Sequence, residues 1–196
     1  MAMALPAKKI EKELTYEDYM SEGEINRRYD IIDGIREYMT APTDWHQDIA
    51  GNIYQAFREY QRRSKTAKTI MAPCDVMITR KPLRTRQPDD LLISKERYGD
   101  RDPSVAGPLS PAPELVVEVL SPSERRSARL AKIADYGRVG VQECWVVSQQ
   151  AETVEVLRLT QIAHETVEIY GLDQTVTSIS FPDLTIKVAD IFALDE

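Results

Sequence analysis

Histidine and cysteine are scarce in this chain, with two of each among 196 residues. Cys74 and Cys144 each lie inside an apolar, strand-like run and lack metal-ligand spacing. Two buried thiols suit a reducing compartment, so a cytoplasmic location is expected. Long apolar runs are missing as well. No window approaches the roughly 18 consecutive apolar residues that a membrane span requires. The N-terminus, MAMALPAKKIEKE, begins apolar but has no cleavable signal architecture, and residues 1–13 are expected to form a flexible leader. No repeat or low-complexity segment stands out. Positive charge is not in excess either: 25 Lys and Arg against 32 Asp and Glu leave a net charge of −7. Phosphate binding rests on lysine and arginine, so the overall balance argues mildly against a nucleic-acid partner.

What the chain does hold is a globular composition, 42% hydrophobic and 29% charged. Its length fits one domain, expected over residues 14–196. The charge is uneven along it. Arg58, Arg62, Arg63, Lys65 and Lys68 stand against one acid, Glu59. Arg80, Lys81, Arg84 and Arg86 form a second cluster, and Arg125, Arg126, Arg129 and Lys132 a third. Such runs are commonly solvated faces. The last two clusters, however, flank the acidic residues from which a site can be built.

Patterning predicts a mixed α/β chain. Thr15 and Asp18 form a capping-box variant that opens a short helix over 16–21. Residues 29–32 and 35–39, separated by Asp33-Gly34, read as a hairpin. Asp44 is placed to cap a helix that carries Ile49, Ile53, Phe57 and Tyr60 at helical spacing to about Arg63. Two strand-like runs follow, 69–79 and 90–94, then a long surface loop over 95–113. Leu115–Leu120 is the strongest β run. Ser121-Pro122-Ser123 is expected to start a helix reaching about Val139, with Leu130, Ile133 and Gly137 facing the sheet. Glu143–Val147 is a second apolar strand. Period-two alternation then predicts antiparallel strands to Phe181, and a helix over 187–193 closes the chain.

Glu118 is the anomaly in this pattern. A continuous apolar strand such as Leu-Val-Val-Glu-Val-Leu is normally buried on both faces, and an ionised carboxylate there is costly. It must face water at an edge, join a buried ion pair, stay protonated or hold a metal. Asp89 begins its strand directly after Pro88, where the ladder is interrupted and side chains can converge with a neighbouring strand. Asp90 points to the opposite face, so one of the pair can share a site with Glu118. Hard cations such as Mg²⁺ take oxygen ligands, commonly one or two carboxylates with water and phosphate. The backbone carbonyl of Val119 can add another oxygen. A nearby lysine could neutralise charge developing on a phosphate. Two residues after Glu118 stands Leu120, which leaves Lys132, on the following helix in a stripe with Arg125, Arg129 and Tyr136, as the candidate.

Together these residues resemble the Uma-type endonuclease family, within the PD-(D/E)XK restriction-endonuclease-like superfamily. The resemblance is carried by Leu-Thr-Tyr-Glu-Asp-Tyr at 14–19, Arg-Tyr-Asp-Ile-Ile-Asp-Gly at 28–34 and His46-Gln47-Asp48-Ile49. It continues through Gln-Pro-Asp at 87–89, Pro-Glu-Leu-Val-Val-Glu-Val-Leu-Ser-Pro-Ser at 113–123, and Lys132, Tyr136, Gly140-Val141 and Glu143-Cys144-Trp145. It implies a restriction-endonuclease-like core: a central mixed β-sheet flanked by helices, with a β-rich C-terminal extension. Asp89 and Glu118 would bind Mg²⁺ or Mn²⁺, aided by the Val119 carbonyl, and Lys132 would be the catalytic lysine moved from strand to helix. Asp30 and His46 would be accessory residues, and Arg84, Arg86, Arg125 and Arg129 would serve nucleic-acid binding. DNA would be the partner and a homodimer the assembly. Departures occur at Asp30, which shortens the family's usual glutamate, at Ile35 and Ala128, where the family often has acids, and at Ser148-Gln149 in place of a common Asp-Pro. Two functions therefore compete: a Mg²⁺-dependent DNA endonuclease, and an inactive module of the same fold that binds nucleic acid or protein.

Overall fold

A computed structural model describes residues 13–194 apart from 24, 26 and 123; residues 1–12 of the expected leader lie outside it. In chain order the elements are α1 (Tyr16–Ser21), β1 (Tyr29–Ile32), β2 (Ile35–Tyr38), α2 (Asp44–Ser64), β3 (Ala67–Met71) and β4 (Val76–Arg80). Next come β5 (Leu83–Arg86), β6 (Asp90–Ser94), α3 (Lys95–Tyr98), β7 (Leu115–Val119), α4 (Arg126–Arg138) and β8 (Glu143–Ser148). The chain continues through β9 (Thr153–Leu159), β10 (His164–Tyr170), β11 (Thr175–Thr177), β12 (Thr185–Lys187) and α5 (Val188–Ile191). The main sheet has six strands in the order β10-β9-β8-β7-β6-β3, beside a four-stranded sheet, β2-β1-β5-β4, and the small hairpin β11-β12. Among the described strands only β7 and β8 pair in parallel, joined by α4; the other strand ladders are antiparallel. This is the mixed sheet with flanking helices that the sequence predicts. Among the described residues, no helix is long and apolar enough to cross a membrane.

Local chemistry accounts for most boundaries. Thr15 and Asp18 close a reciprocal capping box on α1. Asp33 and Gly34, with φ of 51° and 81°, supply the two left-handed residues that a tight hairpin turn requires between β1 and β2. α2 is capped by Thr43 rather than the expected Asp44: the threonine side chain accepts the N–H of His46 at 3.2 Å, and Asp44 becomes the first helical residue. The expected strand 69–79 is two strands in two sheets, because β3 pairs with β6 and β4 with β5, with Pro73 between them. The Arg-rich β5 was not predicted, and neither was α3 inside the 95–113 loop. α4 starts at Arg126, with Arg125 as its N-cap, not at Ser121. The last helix is shorter than expected, with Lys187 as its N-cap.

Two apolar cores lie on opposite faces of the six-stranded sheet. α2 delivers Ile49, Ile53 and Phe57 against Val117, Trp145 and Val147, and the β11-β12 region adds Val176, Phe181, Leu184 and Ile186. On the other face α4 delivers Ile133 and Tyr136 against Leu91, Val116, Cys144 and Val146. Leu130, expected to face the sheet, is 38% exposed, and the buried face of α4 is formed by Ile133, Asp135, Tyr136 and Gly137. Each fully buried aliphatic or phenylalanine side chain contributes about 1.5–3 kcal/mol, so α2 is pinned by its apolar stripe more than by its cap.

Candidate active site

The alternation of β7 places Leu115, Val117 and Val119 in the α2 core, so Glu118 shares the α4 face with Val116. By the same parity Asp89, just before β6, aligns with Leu91 and Ile93 on that face. The Asp89 N–H donates to the Val117 carbonyl at 3.0 Å, continuing the ladder past Pro88. Asp89 and Glu118 thus meet at one end of the sheet.

Both acids are buried, at 6% and 5% exposure, yet both border a cleft of about 460 Å³. Asp89 Oδ1 accepts from Arg28 at 2.7 Å, and Oδ2 accepts the Val119 N–H at 2.8 Å. Glu118 Oε1 accepts the Tyr136 hydroxyl at 2.5 Å, and Oε2 accepts Lys132 Nζ at 2.9 Å. Lys132 also reaches Glu124 at 3.3 Å, in the segment before α4. His46 Nε2 lies 3.1 Å from the Val119 carbonyl and 3.5 Å from Asp89 Oδ2. A carbonyl only accepts, so Nε2 carries the hydrogen.

The charges follow from these contacts. Burial by itself would raise the Asp89 carboxyl, but the His46 bond and the Arg28 charge outweigh it and hold the group below the usual aspartate range. Burial raises Glu118, the neighbouring Asp89 charge adds to this, and Lys132 only partly offsets it. Burial would lower Lys132, yet the charges of Glu118, Asp30 and Glu124 prevail and push its pKa up, fixing the ammonium form.

The sequence-predicted residues therefore assemble unevenly. Asp89, Glu118, Lys132, His46 and the Val119 carbonyl converge, with Asp30 on the same cleft wall. Asp30 is itself an anchor: it accepts from Arg86 at 2.7 Å and from the Gln87 N–H at 3.0 Å. Arg86 is buried and also grips Asp135, while Arg84 binds Asp33 and Asp135. Arg86 is thus enclosed by its acids, whereas Arg84 stays partly exposed while paired with Asp33 and Asp135. Arg125 is exposed and Arg129 half-buried. Sequence reasoning missed Arg28 and Glu124 as neighbours of the site. Tyr136 was visible one helical turn after Lys132 but was not read as a partner of Glu118.

The donor set can be tested against a hard cation. The Val119 carbonyl and Asp89 Oδ2 come from different segments and are directed at one small positive group, the His46 Nε2 hydrogen. That convergence, beside the Glu118 carboxylate, fits an oxygen-liganded ion such as Mg²⁺. Among the described residues no cluster of three His, Cys, Asp or Glu side chains could hold a metal alone. A cation here would complete its shell with water and phosphate, as Mg²⁺ does.

Comparison with known proteins supports this reading of the fold. A solved structure titled as "a putative nuclease belonging to DUF820 from Anabaena variabilis ATCC 29413" is similar with a TM-score of 0.75 at 21% identity. The match covers 91% of this chain and 97% of that one, and at this identity it is a likeness of fold. No curated protein matches the sequence. The model of the Uma2 family, described as "Putative restriction endonuclease", matches residues 16–189, and the chain belongs to that family.

Proposed function

We propose that the protein is a Mg²⁺-dependent endonuclease that hydrolyses phosphodiester bonds in DNA. The observation that carries this reading is the meeting of Asp89, Glu118, the Val119 carbonyl and Lys132 on one cleft, with the lysine held cationic. Asp89, Glu118 and the Val119 carbonyl would hold the ion, with Mn²⁺ as a substitute. When bound, it would polarise the phosphate and acidify the attacking water. Arg28 and the Val119 N–H fix the Asp89 carboxylate, and Tyr136 fixes that of Glu118. Lys132 presents its charge to the phosphate oxygens as negative charge builds on them. Arg125 and Arg129, which follow the cleft-lining residues Glu124 and Ala128 in the chain, would supply further phosphate contacts. Cutting both strands of a duplex calls for two sites, and a homodimer would bring them together.

A second reading has its own support. All four oxygens of Asp89 and Glu118 already accept protein hydrogen bonds. That internal satisfaction suits a module of nuclease fold that binds nucleic acid or protein without cutting. One assay decides between the two. Supercoiled plasmid incubated with Mg²⁺ or Mn²⁺ is expected to become nicked and then linear. Glu118→Ala should abolish this, and Lys132→Met should slow it on the order of 10²–10³-fold. Plasmid left intact at high protein concentration would sink the enzymatic reading and leave the binding module.

A further inference from the structure

A second and larger cavity, about 940 Å³, opens on the far side of Arg28 from the carboxylates. Arg28, whose guanidinium holds Asp89, lines both cavities, so the two are neighbours across this residue. The charge here is the reverse of that of the whole chain. Among the described residues, Arg27, Arg28, Arg58, Lys68 and Arg101 line this groove and Asp75 is the one carboxylate in its wall. Asp75 is withdrawn from the cations: it accepts the Tyr19 hydroxyl at 2.6 Å and the Gln87 amide at 3.1 Å. Arg101 donates to the carbonyls of Gly107 and Pro108, and Lys68 lies 4.4 Å over the ring of Tyr98. Among the described residues neither forms an ion pair, and Arg58 has no hydrogen-bond or ion-pair partner. In a protein of net charge −7, three cations that pair with no acid among the described residues suit an anion supplied from outside.

The groove also carries flat apolar faces. Tyr54 and Tyr98 are half-buried in its wall; Lys68 covers one face of the Tyr98 ring, whereas Tyr54 stands one helical turn before Arg58 on α2, so ring and guanidinium project side by side. Alternating cations and aromatic rings are the surface on which a single strand lies, phosphates on the cations and unpaired bases on the rings. A duplex hides its base faces in the stack and cannot use the tyrosines. We propose that this groove binds an unpaired, single-stranded segment of nucleic acid and leads it past Arg28 to the Asp89–Glu118 cleft. The proposal rests on the nuclease reading for the destination of the strand; occupancy of the groove is measurable separately.

The test is fluorescence anisotropy with the full chain, using labelled single-stranded and duplex DNA of one sequence, in EDTA so that no cleavage occurs. Single-stranded DNA is expected to bind more tightly. Arg58→Glu and Lys68→Glu should each weaken it and lower the slope of log affinity against log salt by about 0.7. Tyr54→Ala should weaken it roughly fivefold or more by loss of stacking. Lys187→Glu makes the same charge change on the C-terminal hairpin, away from both cavities, and should alter the affinity less than these. Thermal unfolding shows that each variant is folded, and Arg58→Gln, milder than reversal, should give an intermediate loss. Equal affinity in groove variants and wild type, preference for duplex, or no binding of either DNA at low salt would each overturn the proposal. Binding that follows the groove without plasmid cleavage in Mg²⁺ would leave it standing and sink only the nuclease reading. Cleavage by variants whose binding is unchanged would do the opposite.

Discussion

Between Asp89 and Asp90 the backbone directs one carboxylate to Arg28, His46 and the Val119 N–H, and the other to the α2 side of the sheet. There, at 1% exposure, neither Asp90 oxygen has a hydrogen-bond partner among the described residues. Burial raises the Asp90 carboxyl well above its ordinary value, and the adjacent Asp89 charge adds to this. A carboxyl whose pKa is raised by folding binds its proton more tightly in the native state. Its contribution is fully present below the unfolded value near 3.9 and is lost as pH climbs toward the folded value. Asp90→Asn, neutral at every pH, is therefore expected to unfold at higher temperature than wild type at neutral pH. The gain should shrink as pH falls to about 4, with a slope of at most ~1.4 kcal/mol per pH unit. Melting curves across that range check it; a variant less stable than wild type at neutral pH would show that the charged form is accommodated. Strand parity predicts from sequence that these two acids diverge, but which one meets Glu118 depends on the register of β6 against β7. Glu118 was legible by itself, as a charge in an apolar strand. Arg28 was not, because its contact with Asp89 spans 61 positions and nothing local marks it.

At the scale of the element, α4 carries both groups that bind Glu118, Lys132 and Tyr136, so its seating sets the geometry of the cleft. Gly137 makes that seating possible. A Cβ at this position would run into the Thr160 carbonyl oxygen, just past the end of β9. Backbone opposes the added methyl, so the helix must move. Gly137→Ala is expected to destabilise the fold by about 1–3 kcal/mol despite the better helix propensity of alanine. Because Tyr136 precedes it, the variant should also lose plasmid cleavage when assayed below its melting temperature. A variant as stable and active as wild type would mean that α4 does not depend on this close approach. Elements with a strong local signal were legible: the Asp33-Gly34 hairpin, the capping box of α1, and the apolar strands β7 and β8. The run over 69–79 was not, since alternation is the same whether one strand continues or the chain crosses to another sheet. β5, Leu-Arg-Thr-Arg, hides its strand character because its arginines are neutralised by Asp30, Asp33 and Asp135, all distant in sequence.

For the molecule as a whole, the proposed ion and the fold are linked. The cleft assembles from β6, β7, α2 and α4 only in the folded chain, so a cation that binds there stabilises folding by mass action. At a hundred times its dissociation constant the gain is about 2.7 kcal/mol. In a chain of 196 residues, each kcal/mol moves the midpoint by about 2–4 °C. Saturating Mg²⁺ or Mn²⁺ is thus expected to raise the melting temperature by roughly 5–10 °C. The shift should vanish in Asp89→Ala and in Glu118→Ala, each compared with itself without metal so that any intrinsic change in stability cancels. Ionic strength is held constant with sodium chloride, because a chain of net charge −7 is also stabilised by screening alone. No shift in the wild type would remove the cation from this cleft, and with it the proposed chemistry. A shift that survives both substitutions would place the ion elsewhere and leave Asp89 and Glu118 as a buried charge network that braces β6 and β7 against α4.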